Sequence, residues 1–317
     1  MPFIDLVVGG PDMSGTGTQI EDIISFFQSK GKKVRDMRRT EVDVLFHAEI
    51  FSHINQNHVN LGSFLSDESI DHDDKIAFLW QAYELLSGGG TNEDLKIASC
   101  VKNLVSSYIN PNSSDVWIFE EPTKRAAGQK NRAIEQHRSQ YESETDPIAA
   151  ALSHQNYRID EFLRFRRVLR QKGKIIIRSR SEESACYQIY HPQKLKNGIS
   201  LKDYLSLPGH KIAFSHPPTH IFIVCAPKNW TKDEYLELKK QRSGNRLVDD
   251  YESKAEYQLL VNFRYASLWV EKLYEVGCAL YGAKPPQIIR FDIYKPKEVI
   301  KLEMQKALET ILEKSFE

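Results

Sequence analysis

Five short apolar runs recur along the chain with longer amphipathic stretches between them, and this alternation constrains the fold more than any other feature. The runs are Phe3–Val8, Asp115–Phe119, Lys174–Arg178, His220–Ala226 and Gln287–Ile293. Their almost unbroken apolar character is that of strands covered on both faces. The stretches between them carry helical periodicity, at Gln19–Lys30, Pro147–Gln171, Ser253–Val276 and Pro296–Phe316. Strand and helix in alternation predict an α/β chain: a five-stranded, mostly parallel sheet wrapped by helices, with right-handed crossovers. From about Arg38 to Ser114 no strand signal appears, and three helical patterns follow one another. The domain is therefore expected to comprise 1–37 and 115–317, with 38–114 as a helical insertion.

Bulk properties exclude several classes. Lys plus Arg number 43 and Asp plus Glu number 43, so the formal charge is zero, which argues against broad nucleic-acid binding. No apolar stretch approaches the ~18 residues of a membrane-spanning helix. The amino-terminus, MPFIDLVVGG, lacks a basic leader and a small-residue cleavage site. Cys100, Cys186, Cys225 and Cys278 are widely spaced and form no C-x-x-C pair, and three of them read as small core residues. A cytoplasmic protein is expected.

The first run leads into GGPDMSGTGTQ, Gly9 to Gln19, and then into an amphipathic helix. Strand, glycine-rich turn and helix in that order form a cradle for phosphate, because the helix amino-terminus presents free N–H groups and a favourable dipole. Gly10 and Gly15 have the spacing of G-x-x-x-x-G-K-[ST], but Thr16 stands in the lysine position. Four later stretches accompany this turn: EEPTKRAAGQKNR at Glu120–Arg132, DPIAAALSHQNYRIDEF at Asp146–Phe162, GKIIIRSRSEESACYQ at Gly173–Gln188, and QRSGNRLVDDYE at Gln241–Glu252.

In this order the five stretches resemble the thymidylate kinase family of P-loop nucleoside-monophosphate kinases. That family reads roughly G-x-D-G-S-G-K-S-T-Q, R-E-P-T, a helix with A-D-R, then D-R-Y-x-x-S and A-Y-Q, and finally an arginine-bearing lid. The resemblance covers 1–36 and about 115–317. It implies an α/β P-loop kinase-like three-layer fold with a five-stranded parallel sheet and a helical insertion. It also implies transfer of the ATP γ-phosphoryl group to a nucleoside monophosphate, dTMP by analogy, with Mg2+ accompanying ATP. Gly10, Ser14, Gly15, Thr16, Gly17 and Thr18 then hold the ATP phosphates. Asp12 lies near the acceptor phosphate and the metal. Glu121, with Pro122 and Thr123, matches E-P-T, while Glu120 replaces the arginine before it. Arg158 faces the monophosphate, and His154 takes the place of a base-stacking phenylalanine. Ser179-Arg180-Ser181 replaces D-R-Y, so Arg180 survives and the aspartate does not. Tyr187 and Gln188 match Y-Q near the base, one residue early. Arg242 and Arg246 fall in the lid. Asp12, Arg158, Arg180, Arg242 and Arg246 are the catalytic set on this reading, and Glu121, His154, Arg158, Tyr187 and Gln188 hold the acceptor nucleotide.

Thr16 and Ser179 are the departures that matter, because phosphoryl transfer depends on positioned charge. Loss of one preorganised electrostatic donor typically costs about 10²–10³ in rate. Substitute cations are available in sequence: Arg178 and Arg180 at the third strand's end, Arg242 and Arg246 in the lid, and Arg35, Arg38 and Arg39 after the first helix. Two functions stay open at this point. One is a nucleoside-monophosphate kinase; the other is an inactive relative that binds a nucleotide and acts on a partner. No metal ligands are assigned to the protein: His47, His53, His58 and His72 are not spaced for one helix face, and Asp71–Asp74 reads as a solvated acidic loop. The stripe Leu45, Phe46, Ile50, Phe51 and Ile54 reads as packing, internal or against a second subunit, as in a homodimer. The aromatics of Lys254–Val276 read as core rather than as a stacking platform.

Overall fold

The computed structural model describes residues 2–38, 111–121, 151–243 except 153, 156, 157 and 160, and 254–316. The chain divides into two compact units, Met1–Arg35 with Ser114–Glu317, and Asp36–Ser113. The site lies in the first.

Strand β1 spans Ile4–Gly9 and leads through the glycine turn to helix α1, Thr16–Ser29. A short strand β2, Val34–Asp36, precedes β3, Val116–Glu120. The helix that follows contains a π-helical stretch, Phe162–Arg166, and ends as α2, Arg167–Gln171. Strand β4, Ile175–Ser179, runs into a 3-10 segment, Glu182–Tyr187. Helices α3, Leu201–Ser206, and α4, Pro208–Ser215, precede β5, His220–Cys225. Then come α5, Lys232–Ser243, α6, Ala255–Ala266, α7, Trp269–Leu280, β6, Gln287–Asp292, and α8, Lys297–Phe316.

The sheet has six strands in the order β2-β3-β4-β1-β5-β6. The pairs β1–β4, β1–β5, β3–β4 and β5–β6 are parallel. Five strands were expected; the sixth, β2, is a three-residue edge strand with only partly buried residues. So short an element leaves no apolar run to read. Alternation along β1 divides the core, as a strand's twofold period requires. Ile4, Leu6 and Val8 join Ile20, Ile23 and Phe27 of α1 and Ile300, Met304 and Leu308 of α8. Val7 faces the other way, with Ile221, Ile223, Tyr204, Phe214, Tyr265 and Tyr274. Helices thus cover both faces of a central parallel sheet.

The helix expected over Ser253–Val276 is two helices. Ser267 between them is extended, and Arg290 of β6 takes the freed carbonyls: its Nε donates to Tyr265 O at 2.8 Å and its Nη2 to Ser267 O at 2.7 Å. The aromatics of this region are core, with Tyr257, Tyr265 and Tyr274 all buried. Cys186, Cys225 and Cys278 are buried free thiols. Outside the described residues lie Cys100, Pro122, Thr123, Arg39, Arg246, the insertion histidines, Asp71–Asp74 and the stripe from Leu45 to Ile54. Among the described residues no helix is long and apolar enough to cross a membrane.

Candidate functional site

The glycine turn stands at the carboxyl end of β1, a central strand, where open parallel sheets bind ligands. Its backbone is one that glycine permits. Gly10 has φ 155°, and a Cβ there would lie 2.3 Å from Val224 O. Gly15, the residue before α1, is left-handed at φ 77°. Met13 at φ 67° is a non-glycine residue in the same region. No side chain caps α1, and its first turn holds no acidic residue. The leading N–H groups of Thr16, Gly17 and Thr18 therefore face outward without a competing carboxylate, which is the arrangement that suits an anion. Ser14 is buried, and its N–H donates to Pro11 O at 3.1 Å.

Two guanidiniums meet this turn. Arg242, near the end of α5, donates from Nη1 to Met13 O at 2.6 Å and from Nη2 to Ile293 O at 3.1 Å. The same Nη1 is 3.9 Å from the position a Gly15 Cβ would take. A guanidinium from α5 thus rests on the glycine turn. Arg180, just beyond β4, donates from Nη2 to Asp12 Oδ1 at 2.5 Å, and its guanidinium lies 5.2 Å from the Tyr187 ring centroid. Arg180 is itself left-handed at φ 65°, a conformation that costs about 1–3 kcal/mol and clusters at functional positions. Its N–H donates to Val8 O at 2.9 Å, which ties the strand end to the loop. The second Asp12 oxygen accepts from Gln258 Nε2 at 2.7 Å.

Arg178 does not serve the site. It is buried, with Nε 2.9 Å from Asp5 Oδ1 and Nη1 donating to Ser181 Oγ. The sequence reading of Arg178 as a substitute phosphate cation is corrected by this pairing: an arginine inside a strand points to one face of the sheet, and this face is filled.

The residues assigned to the acceptor come together. Arg158 Nε donates to Glu121 Oε1 at 2.9 Å, and its Nη2 also reaches that carboxylate and Ser181 O. Arg158 Nη1 is 3.3 Å from the Tyr204 hydroxyl. His154 Nδ1 is 3.3 Å from Gln188 Nε2 and 3.9 Å from Glu121 Oε1. Glu121 follows β3 and Arg180 follows β4, so parallel register sets the two halves of the site side by side: Glu120 lies opposite Ser179, and Val8 opposite Ser179 on the other side. Tyr187 is buried between the Tyr257 and Tyr265 rings, with centroids 6.1 and 6.4 Å away.

Three participants were missed from sequence. Gln258 holds Asp12 from the buried side of α6, which also carries Asn262 and Arg264, and polar residues at buried helical spacing were the available signal. Tyr204 bridges Arg158 and the Glu182 carbonyl, at 3.3 and 3.2 Å, from a region that sequence periodicity left blank. Glu183 is the third. Its carboxyl is fully buried beneath Gly9, where a Cβ would come within 2.6 Å of Oε1. Neither of its oxygens has a hydrogen-bond partner among the described residues. Burial, then the nearby Glu121 and Glu182 carboxylates, raise it to about 8, so it carries a proton at neutral pH. Glu182 beside it goes the other way: Arg178, Arg166 and Arg158 overcome its burial and hold it ionised.

No protein-family model matches the chain, and no curated protein matches it in sequence.

Proposed function

We propose that the chain is a nucleotide-binding protein with a P-loop kinase-like fold of the thymidylate kinase type, and that it transfers the ATP γ-phosphoryl group to a nucleoside monophosphate. The observation that carries the reading is the convergence of Arg242 and Arg180 on the glycine turn that lacks its lysine. Phosphoryl transfer asks for positioned cations rather than covalent chemistry, and arginine forks hold phosphate well. On this reading Gly10, Ser14 and Gly15 to Thr18 hold the donor phosphates through backbone N–H groups. Arg242 supplies the charge that Thr16 cannot. Arg180 stands between donor and acceptor, and Arg158 with Glu121, His154 and Gln188 forms the acceptor wall.

Magnesium fits the protein's own donors weakly. Asp12 has both oxygens engaged, by Arg180 and Gln258, and Ser179 brings a hydroxyl where a carboxylate is wanted. Magnesium is therefore expected to arrive on the nucleotide's phosphates, with Asp12 the nearest protein carboxylate. This same closure of Asp12 favours a second reading, a relative that binds nucleotide without turning it over and acts on a partner.

Single-turnover transfer from labelled ATP, with enzyme in excess and a panel of nucleoside monophosphates, separates the two. If Arg242 replaces the lysine, native protein transfers, Arg242→Ala loses about 10²–10³ in rate, and adding Thr16→Lys to that variant restores most of it. If the site is a disarmed binder, native protein is silent and Thr16→Lys alone creates activity. Silence from every variant rejects the kinase reading.

A further inference from the structure

At the amino-terminal ends of the strands, where β1, β5 and β6 begin, lies an open cleft of about 850 Å³. That volume is typical of small-molecule sites, ~300–1,000 Å³. It lies remote from the glycine turn, which stands at the strands' carboxyl ends, and its argument is independent of the kinase reading.

Beneath this cleft sits an unusual charge arrangement. Asp5, fully buried on β1, receives three guanidiniums: Arg178 Nε at 2.9 Å, Arg166 Nη2 at 3.2 Å and Arg170 Nε at 3.3 Å. Burial would raise Asp5, yet Arg178, Arg166 and Arg170 together hold it below its ordinary value. Glu182 takes up the far side of Arg178, at 3.6 Å. Arg166 and Arg170, four residues apart on one helix face, have Asp5 as their ion-pair partner among the described residues. Asp5 and Glu182 thus lie among these guanidiniums, with Glu161 also acting on Arg178, in a buried and poorly screened charge cluster.

The lining carries positive charge of its own. Arg170 forms the floor and contributes its charge there: Nη1 donates to His216 O at 2.9 Å, Nη2 donates to Pro217 O, and the guanidinium lies 4.5 Å from the Phe3 ring centroid. Arg167 and Lys284 stand exposed at the rim, and no carboxylate is found among the described lining residues. The wall is aromatic: the Phe162 and His216 rings pair with centroids 4.5 Å apart, tilted at 44°.

We propose that this cleft is a second ligand site, which binds a small organic anion with a flat ring. The ring packs against Phe3, Phe162 and His216, and the anionic group, phosphate or carboxylate, lies between Arg167, Lys284 and the Arg170 floor.

The test is titration calorimetry of the full chain with phenyl phosphate, beside inorganic phosphate and benzyl alcohol as half-ligands. Phenyl phosphate is expected to bind at least tenfold more tightly than either half. Arg167→Glu with Lys284→Glu should weaken it tenfold or more while the melting temperature stays within a few degrees. A Thr16→Glu change in the glycine turn should leave it unaltered. Absence of phenyl phosphate binding, binding indifferent to charge reversal at the rim, or binding abolished by Thr16→Glu would each overturn the proposal. Inorganic phosphate binding as tightly as the aryl ester would overturn it too, by removing the role of the ring.

Discussion

Glu183→Gln is expected to make the protein markedly more stable above neutral pH and to remove most of the fall in stability between pH 5 and pH 8. The sign follows from where the proton sits. In the unfolded chain a glutamate titrates near 4.5, whereas the folded protein raises Glu183 to about 8. Between those values the native state holds a proton that the unfolded state has released. Stability is therefore intact below about pH 4.5 and declines as pH rises towards 8. The gap corresponds to about 5 kcal/mol at its limit. Several groups face this carboxyl. Glu121 and Glu182 oppose its ionisation and Arg178 favours it; Tyr265 and Tyr274 pack from α6 and α7 and are themselves raised by burial and by Glu183. Glutamine keeps the shape and cannot ionise. Urea unfolding of both proteins at pH 5, 7 and 8.5 measures the effect, and parallel pH dependences in native and variant would contradict it. The same titration bears on the loop, since a carboxylate formed under Gly9 repels phosphate in the turn above.

Arg158→Ala is expected to cost about 3–5 kcal/mol, because it strands the Glu121 carboxylate in a buried place. The side chains of Arg158 and Glu121 are 2% and 8% exposed, so little water replaces the lost partner. In a domain of this size such a loss lowers the melting temperature by roughly 10 °C. Arg158→Ala combined with Glu121→Gln should recover a large part of the stability, since the uncompensated charge is then gone. If the double variant is as unstable as the sum of the two single ones, the pair is not coupled as its geometry requires. Charge matters here beyond stability: Arg158 is tied to Glu121 and Tyr204, so its guanidinium is preorganised towards the carboxyl ends of β3 and β4.

Much of the architecture was legible because buried parallel strands advertise themselves. Leu6-Val7-Val8 and Ile175-Ile176-Ile177 carry no polar residue for a solvated face to use. Strand β2 was invisible because an edge strand with partly buried residues needs no apolar run. The break at Ser267 was hidden for a different reason: it depends on Arg290, distant in sequence, capturing the carbonyls at the helix end. At the site, the motifs located Asp12, Arg158, Arg180 and Arg242, but their partners are contacts that local sequence does not encode. Gln258 and Asp12 are far apart in the chain and meet at 2.7 Å. Arg178 and Arg180 look equivalent in sequence, yet the strand's alternation sends one to Asp5 and the left-handed turn sends the other to Asp12. Glu183 reads as part of a polar run, SRSEES, and only the packing of the 3-10 segment under Gly9 reveals its burial.

Equilibrium binding of ATP to the full chain, followed by titration calorimetry with and without magnesium, tests the central claim most directly. The account predicts saturable single-site binding that weakens at least tenfold in Thr16→Glu and in Arg242→Ala, and that is unaffected by charge reversal at Arg167 and Lys284. Absence of ATP binding, or equally tight binding when the glycine turn carries a glutamate, would contradict it.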